Sequence, residues 1–146
     1  MPTVLDHIAL NVNDPGLMLG FYQDMLGLAP ERAEAWRRGK VPFPSVRVNA
    51  DCIIDFFPKA LWEEGAGDRP LKRSPAPGMN HFCLRYDPDE WAALVARLAD
   101  RGVVIETGPV PRFGAHGQGV SVYFHDPEGN YLEARHYPED EGTDDS

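Results

Sequence analysis

VLDHIALNVNDP (residues 4–15) and GMNHFCLRYDP (78–88) are two copies of one pattern, and this repetition decides the fold. Each copy is a short apolar segment that contains a histidine, His7 or His81, and ends in Asp-Pro. Aspartate is a favourable helix N-cap, and proline suits the first helical position, where its missing N–H costs nothing. Each half of the chain is therefore predicted to begin with a strand that leads into a helix.

The spacing of apolar residues predicts those two helices. Each has one apolar face at helical spacing, made of Met18, Phe21, Tyr22, Met25 and Leu26 in the first and Trp91, Leu94, Val95 and Leu98 in the second. Gly27 and Gly102 come just past the last apolar positions. Both are expected to end their helix in the left-handed conformation.

Three strand-like segments follow each helix. They are expected at about 31–37, 45–50 and 52–57, and then at about 103–107, 120–125 and 130–137, with Asp126-Pro-Glu-Gly129 as a hairpin turn. The sequence thus predicts an α+β fold in which two tandem βαβββ modules form a half-barrel cup. A single domain would span 1–137, with modules at about 4–57 and 78–137, a linker at 58–77 and a disordered acidic tail at 138–146.

Charge and hydropathy narrow the classes of partner. The formal net charge is −9, and outside the tail 18 acids still face 14 bases, which argues against nucleic acid and against an anionic membrane surface. No apolar run approaches the ~20 residues that span a bilayer, and the first residues do not resemble a signal peptide. A cytoplasmic protein with Cys52 and Cys83 as buried free thiols is expected.

Polar residues recur in register between the two modules. His7 and His81 lie at matching places on the first strands, and Asp55 and Glu133 lie on the last strands, 48 and 52 residues further on. Two imidazoles and a carboxylate form a set that holds divalent iron, manganese, nickel, zinc or cobalt and leaves positions open. We therefore predict a metal site at His7, His81 and Glu133, with Asp55 either a fourth ligand, direct or through water, or an acid that only supports the site.

A glycine-rich segment at 108–119 carries two more candidates. It lacks the Gly-Lys-Ser/Thr ending of a phosphate loop, and its glycines favour a mobile lid. Arg112 and His116 lie on this segment and are candidates for contact with a substrate.

Three segments resemble one known family. LDHIALNVNDPGLMLGFYQDMLGL (5–28) resembles the opening of the vicinal oxygen chelate superfamily, which includes glyoxalase I, bleomycin-resistance proteins and extradiol dioxygenases. GVSVYFHDPEGNYLEARHY (119–137) resembles the closing motif of the superfamily, in which the last strand bears a ligand glutamate. GPVPRFGAHGQG (108–119) is similar to the glyoxalase-domain-containing and virulence-associated branch.

The resemblance implies a function and a set of roles. It implies a homodimer that binds a divalent metal through His7, His81 and Glu133, and acts as a lyase or isomerase on a small oxygen-rich metabolite. The metal would stabilise an enolate or enediolate while Glu133 moves the proton, with Asp55 as the symmetric candidate. Tyr123 matches a substrate-contacting tyrosine of fosfomycin-modifying relatives.

Two alternatives stay open. A ferrous extradiol-type dioxygenase would use His116 and Tyr123 as additional catalytic groups and would consume oxygen. A non-catalytic, drug-sequestering resistance protein would generally lack the ligand set. The chain also departs from the family pattern, because Asp55 stands where glyoxalase I enzymes usually carry glutamate.

Overall fold

The structure of the protein is a computed structural model that describes residues 3–63 and 78–138. The chain divides into two compact units, with the boundary between Gly78 and Met79.

The first unit is a four-stranded open sheet with three helices. Its elements are β1 (His7–Asn11), α1 (Pro15–Asp24), β2 (Ala29–Glu31), α2 (Ala33–Arg37), β3 (Ser45–Asn49), β4 (Cys52–Phe57) and α3 (Lys59–Trp62). The strand order is β1-β4-β3-β2, and β4 runs parallel to β1 and antiparallel to β3. The last strand of the unit therefore lies inside the sheet, next to the first.

The second unit repeats this arrangement with one helix. Its elements are β5 (Phe82–Arg85), α4 (Pro88–Asp100), β6 (Thr107–Gly114), β7 (Gly117–His125) and β8 (Tyr131–His136). The strand order, β5-β8-β7-β6, matches that of the first unit, and β8 is again parallel to the unit's first strand. The two four-stranded sheets, with the same strand order, confirm the predicted α+β fold made of two βαβββ modules.

Alternation along the strands separates an apolar face from a polar one. In the first unit Ile54 and Phe56 are fully buried, and Phe56 packs against Tyr22 of α1 with ring centroids 5.0 Å apart. Asp55 lies between them in sequence and points to the other face, because successive strand residues face opposite sides. In the second unit Trp91 of α4 donates through Nε1 to the carbonyl of Ala134, at 2.8 Å. Glu133 and Arg135, which flank Ala134, lie on the face away from the helix.

The two predicted helices begin and end at the expected residues, but Asp87 occupies the N-cap position of α4 without a side-chain capping hydrogen bond. The side chain of Asp14 accepts a hydrogen bond from the backbone N–H of Leu17 at 3.0 Å, as an N-cap should. Gly27 and Gly102 each adopt φ of 74°, the left-handed conformation expected just past a helix.

Two segment predictions were wrong. The strand predicted at 31–37 ends at Glu31, and residues 33–37 form α2 instead, because Arg32 turns the chain with φ of 60° and a run of helix-forming residues follows. Of the strand predicted at 103–107, only Thr107 belongs to a strand.

The loop predicted at 108–119 is also wrong, whereas its predicted mobility stays a prediction. This segment belongs to the β6–β7 hairpin, whose register pairs Phe113 with Gln118 and Gly114 with Gly117. The glycines serve the hairpin: Gly117 has φ of 93° in the turn, and Gly114 lies too close to neighbouring groups for a side chain. Glycine content alone therefore did not indicate a loop.

The remaining segment predictions fall partly outside the described residues. Residues 64–77 of the predicted linker and 139–146 of the predicted tail lie there, whereas 59–62 of the linker form α3. Among the described residues, no helix is both long enough and apolar enough to cross a membrane.

Candidate functional site

Glu133 is a buried acid of the second unit with polar partners on both of its oxygens. It lies in β8, 3% exposed, and is paired in register with Cys83 on one side and Tyr123 on the other. Its Oε2 accepts hydrogen bonds from Ser121 Oγ at 2.6 Å and from Arg135 Nη2 at 2.8 Å. Its Oε1 faces the Nε2 atom of His81 at 3.0 Å.

Its partners decide the charge of Glu133. Desolvation alone would raise the pKa of this carboxyl, but the hydrogen bonds that Ser121 and Arg135 donate, with the charge of Arg135 and the contact with His81, outweigh it. The net result is a pKa below the usual value. Glu133 is therefore a carboxylate at neutral pH.

His81 is oriented by an oxygen beside each of its ring nitrogens. It lies one residue before β5, and its Nδ1 is 2.6 Å from Oδ1 of Asn80. A neutral imidazole that donates from Nδ1 to Asn80 presents the lone pair of Nε2 to the carboxylate of Glu133. Two lone pairs 3.0 Å apart repel unless a proton or a metal cation lies between them.

His7 has the same kind of orienting partner in the first unit. Its Nδ1 is 2.7 Å from Oδ2 of the preceding residue, Asp6. This hydrogen bond, with the nearby charge of Asp55, raises the pKa of His7 above its usual value. A histidine that ligates a metal through one nitrogen commonly donates a hydrogen bond from the other to an oxygen, and both histidines do so here.

Asp55 is held from the neighbouring strand. It is 5% exposed and accepts a hydrogen bond from Ser45 Oγ at 2.6 Å. The described contacts of the first unit do not include a hydrogen bond between Asp55 and His7. The acid thus has the serine partner that Glu133 has in the second unit, without the histidine.

The donor atoms of the predicted ligand set are of the right chemical type for a metal. Imidazole nitrogen and carboxylate oxygen both bind divalent transition metals, and the structure brings His81 and Glu133 together. Within residues 3–63 and 78–138, however, no three or more His, Cys, Asp or Glu side chains form a group that could hold a metal. The three-residue set with His7 stays a prediction.

The predicted substrate-contacting residues lie on the same unit as Glu133. Tyr123 is 9% exposed and stacks on Tyr131 with ring centroids 5.6 Å apart. The guanidinium carbon of Arg112 lies 5.8 Å from the centroid of the Tyr123 ring. His116 lies in the β6–β7 turn, where its backbone N–H donates to Tyr137 Oη at 3.1 Å.

A pocket of about 330 Å³ adjoins Glu133. Its lining consists of Cys83, Arg85, Phe113, Gly114, Ala115, His116, Glu133, Arg135 and Tyr137, all from the second unit. The thiols of Cys52 and Cys83 are free, as predicted, but neither residue is fully buried as expected, since Cys52 is half-buried and Cys83 is partly open to solvent. Desolvation raises the pKa of Cys83 to about 11, so its nucleophilic thiolate form is scarce at neutral pH.

Comparison with known proteins places the chain. The model of the Glyoxalase/Bleomycin resistance protein/Dioxygenase superfamily matches residues 4–134. This chain belongs to that superfamily. The match covers both units and includes all four residues of the predicted metal site.

Three members of known sequence or structure are similar to the chain. Virulence protein STM3117 of Salmonella typhimurium is 28% identical to this chain over 134 residues, which cover 91% of this chain and 83% of that protein. A crystal structure of STM3117 superposes on this chain with a TM-score of 0.71 and 25% identity. The superposition covers 94% of this chain and 99% of the other. A crystal structure of a glyoxalase/dioxygenase from Nostoc punctiforme has 27% identity and a TM-score of 0.68, covering 92% and 90% of the two chains. A lactoylglutathione lyase from Agrobacterium tumefaciens, 24% identical with a TM-score of 0.64 over 92% and 94%, shares the fold.

Several residues of the site were not found by sequence reasoning. They are the orienting residues Asp6 and Asn80, the serines Ser45 and Ser121, and Arg135 with its neighbour Tyr137. A signal existed for three of them: Asp6 and Asn80 directly precede the two histidines, and Arg135 is two residues after Glu133, on the same face of one strand. The serines lie on neighbouring strands, and their pairing with the acids depends on register that only the structure supplies.

Proposed function

We propose that this superfamily member is a metal-dependent lyase or isomerase of the glyoxalase type that acts on a small oxygen-rich metabolite. The observation that carries the proposal is the pair formed by His81 Nε2 and Glu133 Oε1, 3.0 Å apart, with the other atoms of both side chains already bonded elsewhere. Such a pair is oriented for a cation and for a proton. Membership in a superfamily that contains enzymes supports the same conclusion.

His81 and Glu133 would hold the metal, and His7 is the third ligand predicted from the sequence. A divalent cation, when bound, stabilises negative charge that develops on a substrate oxygen. The roles of the other residues follow from their contacts. Asn80 fixes the ring of His81, and Ser121 with Arg135 fixes Oε2 of Glu133.

Glu133 is the group that accepts the proton. Its lowered pKa keeps it charged, but a carboxylate of low pKa is a weak base. The proton it takes must therefore already be acidic, as is one on a hydroxyl-bearing carbon beside a carbonyl. The same carboxyl then returns the proton to the neighbouring carbon, a role typically worth ~10²–10⁴-fold in rate.

Metal content tests the ligand assignment. After reconstitution with Ni²⁺, Zn²⁺, Mn²⁺, Fe²⁺ or Co²⁺ and dialysis, we expect about one ion per site in the native protein. His81→Ala should lose nearly all of it, and Asn80→Ala, which removes only the orienting partner, should weaken binding by about 10–100-fold. His125→Ala is the matched control, because His125 belongs to the same unit but is exposed and paired with Glu106. Unchanged metal content in His81→Ala contradicts the assignment.

Proton exchange tests the chemistry. In D₂O, the metal-loaded protein should introduce deuterium beside the carbonyl of α-hydroxycarbonyl probes such as dihydroxyacetone and hydroxypyruvate, as followed by NMR. Glu133→Gln should abolish this exchange. Oxygen uptake with catechols in place of any exchange would instead identify a dioxygenase and overturn the proposal.

A further inference from the structure

We infer that the pocket beside Glu133 takes a singly charged, partly apolar organic acid, whose carboxylate is bound by Arg85 and His116. The inference deepens the proposed function by naming the substrate class, and it rests on that function only for the reaction that follows binding.

The pocket has a charge opposite to that of the whole chain. The chain carries a net charge of −9, yet the charged side chains in the pocket lining are Arg85, Arg135 and Glu133. Glu133 and Arg135 form an ion pair at 2.8 Å and cancel. One positive charge remains, that of Arg85.

Arg135 is not the group that binds a ligand. Its Nη1 donates to the carbonyl of Arg112 at 3.2 Å and to Tyr137 Oη at 3.3 Å. Its Nη2 donates to the carbonyl of Phe113 at 3.1 Å and to Glu133. Both terminal nitrogens are thus occupied by the protein itself.

Arg85 and His116 share one support, and among residues 3–63 and 78–138 neither side chain has a hydrogen bond or ion pair. The guanidinium carbon of Arg85 lies 5.2 Å from the centroid of the Tyr137 ring, and the imidazole of His116 meets the same ring edge-on at 5.3 Å. A planar guanidinium that stacks on an aromatic ring presents its N–H groups edgewise, the geometry that binds a carboxylate through two parallel hydrogen bonds.

The rest of the wall indicates an apolar portion on the same ligand. Phe113 is 83% exposed and lines the pocket beside Ala115. Burial of such a ring against a ligand is favourable because it removes apolar surface from water. A single net positive charge beside an apolar wall matches a carboxylate monoanion better than a phosphate dianion, which would also meet the charge of Glu133.

Binding of phenylacetate to metal-free protein tests this inference. Protein treated with chelator is titrated with phenylacetate and with its uncharged isostere, phenylacetamide, by calorimetry or NMR. Charged hydrogen bonds of this kind make about a tenfold difference in affinity or more. We expect phenylacetamide to bind at least tenfold more weakly, Arg85→Gln to weaken phenylacetate by a similar factor, and His116→Asn to weaken it by a smaller one.

Arg101→Gln is the control variant, since Arg101 is an exposed arginine of the same unit that does not line the pocket. Equal affinity of native protein and Arg85→Gln for phenylacetate overturns the inference. Tighter, Arg85-dependent binding of phenyl phosphate overturns the choice of a carboxylate. Because no metal is present, none of these results depends on the metal site or on catalysis, so the two proposals fail separately.

Discussion

At the scale of single residues, Glu133 is a buried acid that remains charged. Burial of a carboxylate is costly unless hydrogen bonds and an opposite charge compensate it. Here Ser121 and Arg135 donate to one oxygen, and the second oxygen faces His81. The charge is therefore stabilised on one side and directed toward the imidazole on the other.

Removal of the Ser121 hydroxyl should change how the free energy of unfolding depends on pH. A carboxyl with a lowered pKa contributes stability above its unfolded pKa of ~4.3, and this contribution is lost as pH falls through the lower pKa of the folded state. In metal-free protein, Ser121→Ala should lower the free energy of unfolding by about 1.5–3 kcal/mol at pH 7, as expected for a hydrogen bond to a charged group. The deficit should shrink at acid pH, where Glu133 is protonated, in urea titrations at several pH values.

Val122→Ala is the matched control for that titration. Val122 is the next residue of β7 and is fully buried, so its truncation costs apolar contacts that do not titrate. If the deficits of the two variants run parallel across the pH range, Ser121 does not act through the charge of Glu133.

Sequence reasoning at this scale predicted candidate residues but not how their side chains are held. The two histidines and two acids follow from the repeat, because matching positions of a duplicated unit share an environment. The partners Asn80 and Ser121 depend on rotamers and on cross-strand register, which periodicity does not determine.

At the scale of elements, the β6–β7 hairpin is attached to the acid-bearing strand. Arg135 of β8 donates to the carbonyls of Arg112 and Phe113, the two residues of β6 that precede its last residue, Gly114. A Cβ on Gly114 would lie 2.6 Å from the guanidinium carbon of Arg135 and 2.6 Å from Tyr137 Oη, and closer still to Arg135 Nη1. Gly114 therefore leaves the space in which the guanidinium lies.

Gly114→Ala should displace that guanidinium. We expect the variant to lose about 1–3 kcal/mol of stability, because Arg135 must give up hydrogen bonds that include the one to Glu133. Thermal or urea unfolding measures the loss. In the metal-loaded protein, exchange of the probe proton should slow as well.

Gly20→Ala supplies the comparison. Gly20 lies within α1, and a Cβ there would meet nothing within 4 Å, so this variant should gain about 0.5–1 kcal/mol from lower backbone entropy in the unfolded chain. Stability of Gly114→Ala at or above the native value would show that the space around Arg135 is not needed.

The elements that sequence predicted well are those with strong local signals. The helices at Pro15–Asp24 and Pro88–Asp100 have caps, proline and apolar spacing that agree. The hairpin was interpreted as a loop because its glycines satisfy close approach between strands, a tertiary requirement that resembles flexibility in a sequence. Helix α2 was missed because it is only five residues long, too short for periodicity to show.

At the scale of the whole molecule, the two units share a plan and differ in what surrounds the acid. Each has a serine 2.6 Å from the acid of its last strand. Two residues after the acid, however, the first unit has Phe57 where the second has Arg135. In the second unit, the polar face around the acid therefore carries the Arg135–Glu133 ion pair and adjoins a pocket.

The two acids should therefore differ in their importance for metal binding. Glu133→Gln should lower metal affinity by about a hundredfold, because it removes the negative charge of the carboxylate that faces His81. Asp55→Asn should cost about tenfold at most, the lower end of the range for a supporting residue. Both changes keep the side-chain shape, so metal titration with a competing chelator compares them directly.

Equal losses of metal affinity in the two variants would make Asp55 a ligand of the same rank as Glu133.

The homodimer implied by the family resemblance also stays a prediction, which sedimentation of the native protein can test.

The order of strands has a consequence for synthesis. In both sheets the strand that carries the acid is the last to be made, yet it is inserted between the first strand and the third. A nascent second unit that lacks β8 has two separate edges with unpaired backbone groups, and His81 then lacks the carboxylate of Glu133. Closing of this sheet and arrival of the acid are therefore one event, so the unit does not offer that pair to stray cations in the cell before its sheet is complete.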